Sequence, residues 1–281
     1  MEVVKTIHEL RQRRRIQGLH KTVGVVPTMG DLHAGHLRLI DRCREQCTFT
    51  IATVFVNPLQ FGPSEDFASY PRALAKDARE LERRDVDLLF APSLEEMYPD
   101  GQFEHATVSV PNLCDELCGA NRPRHFDGVT TVVIKLFQIT QPDFAFFGEK
   151  DWQQLTIIQR MTKQLDIPVE VVGVPTCREA DGLAMSSRNR YLSPAERGIA
   201  PTLFLTLREI AMNLHEGITT YAELEESATE KLRDAGFKPD YVAIRDPSTL
   251  KAPASADGPV RVFGAARLGR ARLIDNIGVT R

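Results

Sequence analysis

Through residues 1–176 short, nearly continuous apolar runs alternate with longer segments whose apolar residues recur every three to four positions. The runs predict strands over 22–26, 50–56, 86–90, 106–110, 143–147 and 169–174. Continuous apolarity marks a strand covered on both faces. Segment 129–139 is rich in β-branched residues, which favours a strand. Yet Val129, Val132, Val133, Leu136 and Phe137 share one helical face, and the period decides for a helix. Near the start, Val4, Ile7 and Leu10 read as the inner face of a short amphipathic helix. Alternation of this kind predicts an α/β fold with a doubly wound parallel sheet.

After Pro175 the pattern changes. Ser193-Pro194-Ala195-Glu196 reads as a capping box with proline at the first helical position. It predicts a helix through Leu203, Leu205 and Ile210 to His215, ended by Gly217. A second helix carries Tyr221, Leu224, Ala228 and Leu232 on one face and stops near Gly236. Segments 240–244, 260–264 and 271–277 predict an antiparallel sheet, with a loop over 247–259. The expected domains are 1–176, α/β, and 177–281, a smaller α+β unit.

A length of 281 residues accommodates one large or two ordinary domains. The 42% hydrophobic and 26% charged content is that of a soluble globular protein. A net charge of −3 argues against a broad pull toward nucleic acid or an anionic membrane. The run Arg11-Gln12-Arg13-Arg14-Arg15 reads as a solvated helix face. Charge soon after Val3-Val4 leaves no secretory signal, and no apolar stretch approaches the ~20 residues of a membrane helix. A cytoplasmic location is expected, with the five cysteines as reduced thiols. Cys43/Cys47 and Cys114/Cys118 have zinc-ligand spacing, but both pairs read as helical and packed.

The chemistry concentrates in four polar segments, each at the carboxyl end of a predicted strand: 28–36, 57–60, 147–151 and the stretch after Val174. In an open parallel sheet these ends share one crevice, where ligands bind. Thr28-Met29-Gly30-Asp31-Leu32-His33-Ala34-Gly35-His36 lies at a strand-to-helix turn. Free N–H groups at a helix start attract phosphate, and imidazoles add donors where charge develops. A metal site and a plain surface turn are the other readings. Zinc on a helix prefers an i,i+4 pair with a third ligand; these histidines are three apart.

Lys150, in Phe147-Gly148-Glu149-Lys150-Asp151, stands at a helix start, where the macrodipole disfavours a cation unless an anion binds there. The alternative is an exposed charged turn. Ala184-Met185-Ser186-Ser187-Arg188-Asn189-Arg190 offers hydroxyls and guanidiniums that suit a triphosphate, or else is a linker. Asn57-Pro58-Leu59-Gln60 offers neutral amides for a small hydroxylated substrate, or is an ordinary strand-end turn. Arg122-Pro123-Arg124-His125-Phe126-Asp127-Gly128 is a basic turn that gates the crevice, binds a carboxylate, or is a surface loop.

Together these motifs resemble the pantoate–β-alanine ligase (pantothenate synthetase) family. The matching segments are V-P-T-M-G-D-L-H-A-G-H-L (26–37), F-V-N-P-L-Q-F-G (55–62), Y-P-R (70–72), R-P-R-H-F-D-G-V (122–129), F-G-E-K-D-W-Q-Q-L (147–155), R-E-A-D-G-L-A-M-S-S-R-N-R-Y-L-S (178–193) and A-R-L-G-R-A-R-L-I-D-N-I (266–277). They run in family order through nearly the whole chain, whereas H-x-G-H alone marks a wider group of nucleotidylyltransferases.

The resemblance implies a Rossmann-like first domain that binds ATP, a lid formed by the second, a homodimer, and a need for Mg²⁺. It implies attack of the pantoate carboxylate on the ATP α-phosphorus, then attack of the β-alanine amine on pantoyl adenylate. Carried over by motif, ATP would meet Met29, Gly30, His33, Gly35, His36, Gly148, Glu149, Lys150, Asp151, Cys177, Met185, Ser186, Ser187 and Arg188. His33, His36, Lys150 and Arg188 would carry catalysis, with His36 the proton donor. Asn57, Gln60, Gln154 and Arg122 would hold pantoate and β-alanine. Asp77 is a candidate Mg²⁺ ligand; the other reading is an ion held mainly by phosphates.

Asp31, Ala34, Arg124, Trp152 and Cys177 depart from the usual family pattern, but none removes a group the reaction needs. Arg124 would add positive charge near the substrate entrance. Two rival readings are a nucleotidylyltransferase that stops after transferring a nucleotide and a nucleotide-binding module without turnover. Fold alone does not separate them.

Overall fold

The computed structural model describes residues 1–279 apart from 64, 103, 256 and 257. Six parallel strands form the main sheet: β1 (Glu2–Val4), β2 (Val23–Thr28), β3 (Phe49–Val54), β4 (Leu88–Phe90), β5 (Phe144–Gly148) and β6 (Glu170–Val174), in the order β1-β4-β3-β2-β5-β6. Helices α1 (Ile7–Gln17), α2 (Ala34–Gln46), α3 (Leu74–Glu82), α4 (Leu94–Met97), α5 (Cys118–Asn121), α6 (His125–Thr140) and α7 (Trp152–Gln164) connect them.

Neighbouring residues on a strand point to opposite faces, and both faces are covered. Val25, Ile51, Leu88, Ala145 and Phe147 join a core with Leu10 of α1, Val129, Val133 and Phe137 of α6, and Leu155 and Ile158 of α7. Val26, Ala52, Leu89 and Phe146 face the other way, onto Leu39, Ile40 and Cys43 of α2 and Leu81 of α3. That two-sided burial is why the strands read as unbroken apolar runs. The chain turns back between β2 and β5, so the ligand crevice of a doubly wound sheet lies at the ends of those two strands.

Beyond β6 come α8 (Pro194–Ile199), α9 (Thr202–His215), α10 (Tyr221–Asp234) and an antiparallel sheet of β7 (Lys238–Arg245), β8 (Val260–Leu268) and β9 (Ala271–Val279). One face of this sheet packs Val242, Ile244, Val262 and Leu273 against Leu203, Leu207, Ile210 and Leu232. From the other, Ala243 and Phe263 enter the first core, so the two sheets share apolar contacts.

Four expectations are corrected. Val4 lies in β1 and pairs with Phe90, so the N-terminal helix starts only at Ile7, behind a capping box of Thr6 and Glu9. Segment 106–110 is not a strand: it runs along α6, where the Val108 N–H donates to Thr131 Oγ1 and Thr130 Oγ1 donates to the Val108 carbonyl. The helix expected over 193–215 is two, because Pro201 supplies no N–H to carry the ladder past Ala200. The predicted box of Ser193 and Glu196 with Pro194 does start α8. Only Cys43 and Cys118 are helical; Cys47 caps α2 and Cys114 sits in a turn. Part of the 247–259 loop, residues 256 and 257, lies outside the described residues.

Candidate active site

The turn after β2 is shaped by backbone. Gly30 at φ 84° and Asp31 at φ 52° occupy the left-handed region. A Cβ on Gly30 would stand 3.0 Å from Val54 Cγ1 and 3.1 Å from Asp77 Oδ2. Asp77 is fully buried, and its two carboxylate oxygens accept from the N–H groups of Asp31 and Leu32, each at 2.8 Å. It does not line the cleft. The suggested Mg²⁺ ligand is therefore the brace of the turn, its oxygens committed to backbone donors.

His33 is the N-cap of α2. Its Nδ1 accepts from the Gly35 N–H at 3.1 Å, while His36 Nδ1 accepts from the His33 N–H at 3.4 Å. Both rings accept at Nδ1, so each neutral imidazole carries its proton on Nε2. The rings lie 4.1 Å apart, tilted by 34°. Burial, then the charge of Lys150, lowers the His33 pKa from 6.5 to about 4. Burial, then His33 itself, lowers that of His36 to about 3. At neutral pH the ligand-free pair presents two uncharged N–H donors beside a lysine.

The amides of Asn57 and Gln60 are held as firmly. Asn57 Nδ2 donates to the Gly128 carbonyl at 3.0 Å and to Gln60 Oε1 at 3.1 Å, and its Oδ1 accepts from the Tyr98 hydroxyl at 2.9 Å. Asn57 thus spends its donors on the protein and orients Gln60. Arg122 donates twice to Glu65, at 2.6 Å each, and through Nη1 to His125 Nε2 at 2.9 Å. His125 Nδ1 in turn donates to the Gln60 carbonyl at 2.7 Å. Burial, then the charge of Arg122, lowers the His125 pKa to about 3.

At the far side Arg188 donates to Asp66 Oδ1 at 2.9 Å and Arg190 to Asp31 Oδ1 at 2.6 Å. Ser187 Oγ donates to the Asp31 carbonyl at 3.1 Å. Asp31 therefore ties the H-x-G-H turn to the serine–arginine segment, a role its sequence position did not suggest.

These groups surround one cleft of about 1420 Å³, its open mouth included. It brings together Met29, His33, Gly35 and His36; Asn57 and Gln60; Arg122; Gly148, Lys150, Asp151 and Gln154; and Cys177, Met185, Ser186, Ser187 and Arg188. Gly30 and Glu149 do not reach its wall: Gly30 makes the turn behind it, and Glu149 packs toward Gly173. Arg124 also stays outside, exposed at φ 65° before α6, so it adds no charge to the lining. His125 and Tyr70 line the cleft without having been singled out. The R-P-R-H-F-D-G turn held the signal for His125; Tyr70 had none beyond its Y-P-R motif. Among the described residues no three His, Cys, Asp or Glu converge as a metal cage.

A family model described as pantoate-beta-alanine ligase matches residues 2–278. The pantothenate synthetase of Azotobacter vinelandii is 49% identical over 280 residues, 99% of each chain. That of Pseudomonas aeruginosa PAO1 is 47% identical over 282 residues, again 99% of each. Among solved structures, pantothenate synthetase from Thermus thermophilus is similar at a TM-score of 0.93 and 48% identity, covering all of both chains. Pantoate-beta-alanine ligase from Francisella tularensis, complexed with beta-gamma ATP and beta-alanine, has a TM-score of 0.84 at 33% identity. That match covers 99% of this chain and 97% of the other.

Proposed function

The chain belongs to the pantoate–β-alanine ligase family, and on that premise we propose that the cleft between β2, β5 and the serine–arginine segment carries both half-reactions. The protein is a ligase: it forms the C–N bond of pantothenate from pantoate and β-alanine at the expense of ATP. In the first half-reaction a pantoate carboxylate oxygen attacks the α-phosphorus, the bond to the β-phosphate breaks, and pyrophosphate leaves. In the second the β-alanine nitrogen attacks the acyl carbon of pantoyl adenylate, AMP departs, and the amine loses a proton.

Neither step needs a protein nucleophile; both need alignment and charge stabilisation. The Nε2–H groups of His33 and His36, the Lys150 ammonium and the Arg188 guanidinium are the donors assigned to the phosphates. A neutral imidazole suffices to donate a hydrogen bond; the negative charge of bound nucleotide favours protonation of His36, as a proton donor requires. Asp151 is assigned to the ribose, and Met29, Gly35, Gly148, Cys177, Met185, Ser186 and Ser187 to the rest of the nucleotide. Gly30 and Glu149 support it from behind. Gln60, oriented by Asn57, and Gln154 hold pantoate, with Arg122 at the β-alanine side.

Mg²⁺ would arrive with the nucleotide and be held chiefly by its phosphates: Asp31, Glu65, Asp66 and Asp77 already serve arginines or backbone N–H groups, and Asp151, paired with Lys150, is assigned to the ribose. Residues 177–281 act as a lid over a Rossmann-like domain of residues 1–176 and keep water from the acyl adenylate. No helix among the described residues is long and apolar enough to cross a membrane. Five free thiols suit the reducing cytoplasm. A homodimer is carried over from the family, and sedimentation tests it.

The observation that carries the reading is the convergence of the paired imidazoles, Lys150, Arg188 and the amides of Gln60 and Gln154 on one cleft. The decisive experiment is pantoate-dependent exchange of labelled pyrophosphate into ATP, with Mg²⁺ and without β-alanine. Exchange is expected, followed by release of AMP and pantothenate once β-alanine is added. Folded, ATP-binding protein without exchange would overturn the adenylate route.

A further inference from the structure

The A-R-L-G-R-A-R-L-I-D-N-I segment matches the family yet supplies no residue to the cleft wall. It forms the end of β8, the hairpin turn and most of β9 in the antiparallel sheet. Near its end stand two buried polar residues, Asp275 and Asn276, 4% and 5% exposed. Buried polar groups at a sheet surface require partners, and the partners here are informative.

Asn276 Nδ2 donates to the backbone carbonyls of Glu149 and Lys150, each at 2.9 Å. Its Oδ1 accepts from Arg261, whose guanidinium lies 3.3 Å from the centroid of the Trp152 ring. One carboxamide thus grips the turn that carries Lys150 from one side, while Arg261 holds the next residue but one from the other. Asp275 fixes the strand at this point: its Oδ1 accepts the backbone N–H of Asn276 at 2.8 Å. The same carboxylate binds Arg178 in a fork, at 2.6 and 2.9 Å. Arg178 pairs across a bridge with Ala184, immediately before Met185 and the serines. Both cationic segments of the cleft are anchored to adjacent residues of β9.

We infer that Asn276 is a positioning residue for adenylate formation, holding the backbone of the Gly148–Asp151 turn so that Lys150 stands against the nucleotide. The inference rests on the assignment of Lys150 to phosphate made above. The chemistry requires a carboxamide. Two donors must meet two successive carbonyls while an acceptor faces a guanidinium, and a carboxylate would turn an oxygen toward both carbonyls. Without this grip the turn rests on its own short 3-10 helix, and a displacement of the order of 1 Å costs about 100-fold in an aligned reaction.

The test is a double-mutant cycle on the full-length protein, read by pyrophosphate exchange with separate kcat and KM for ATP and pantoate. Asn276→Leu keeps the branching of the side chain and removes its polar atoms. It is expected to lower the exchange kcat by about 10- to 100-fold, with the KM for pantoate unchanged. In a Lys150→Ala background the same substitution is expected to cost less than about twofold, because the group it positions is gone. An equal loss in both backgrounds overturns the inference while leaving the Lys150 assignment intact, since a general structural defect does not depend on Lys150. Unaltered exchange in Asn276→Leu overturns it as well. Normal exchange in Lys150→Ala overturns the Lys150 assignment and this inference together. Should Asn276→Leu not fold, Asn276→Asp replaces it in the same cycle, with the same outcomes.

Discussion

The unusual feature at the scale of single residues is a set of three imidazoles held neutral in the wall of one cleft. His33, His36 and His125 all sit part-buried in the cleft wall, with pKa values of about 4, 3 and 3 against 6.5 for a free side chain. A folded pKa below the unfolded one means that the unfolded chain binds more protons between those limits. Stability from these groups is complete above about pH 6.5 and is lost as pH falls to about 4 for His33 and about 3 for His36 and His125. Three such groups give a slope of at most about 4 kcal/mol per pH unit near pH 5. Urea midpoints of the ligand-free protein at pH 7, 6 and 5 check this, and a flat profile would show the imidazoles already charged. The role of His36 has its own test. His36→Ala removes one Nε2–H donor and is expected to slow pyrophosphate exchange by about 10²- to 10³-fold. Near-normal exchange would remove His36 from the mechanism. The residue types at H-x-G-H were legible in the sequence, but their protonation was not. It depends on burial and on Lys150, which arrives from the turn after β5, far along the chain.

Among the elements, strand and helix type followed from period wherever a segment buried a continuous face, as in β2, β3, α6 and α10. The misreadings came where a single contact decided. Val4 reads equally well on a helix face or in a strand until β4 is present to pair with it. The Thr6–Glu9 box, which was not read from the sequence, marks the true helix start. Segment 106–110 has strand composition, but its backbone bonds go to the hydroxyls of Thr130 and Thr131 instead of a neighbouring strand. The junction of α6 with the 58–60 turn was equally hidden. At Gly128 no space exists for a Cβ, which would overlap the Leu59 carbonyl and press on the Gln60 N–H at 2.7 Å. Gly128→Ala is therefore expected to cost about 1–3 kcal/mol by overpacking. Because the displaced backbone carries Gln60, the KM for pantoate should rise while that for ATP changes little. Thermal melts and exchange kinetics on the same preparation check both parts; a stability loss with unaltered pantoate KM would show that Gln60 moves independently of the junction.

For the whole molecule, what matters is how the antiparallel sheet is joined to the parallel one, and here the chain carries its own reporter. Trp152 is the sole tryptophan. It follows the Gly148–Asp151 turn, donates from Nε1 to the Pro247 carbonyl at 2.9 Å and lies under the Arg261 guanidinium. These two partners belong to the C-terminal unit, while its backbone starts α7 of the first. If residues 177–281 close as a lid over bound ATP, the indole environment must change, because Pro247 and Arg261 travel with the lid. ATP titration is expected to shift or quench the tryptophan emission, with a midpoint matching the KM for ATP in pyrophosphate exchange. Arg261→Gln removes the stacked cation and should alter the emission of the free protein without abolishing the ATP-dependent change, since the Pro247 contact remains. A titration that leaves the emission flat, while exchange confirms ATP binding, would mean that this junction is rigid. Closure would then be confined to the serine–arginine segment, whose ties to the first unit include the Asp31–Arg190 and Asp66–Arg188 ion pairs and the Ser187–Asp31 hydrogen bond.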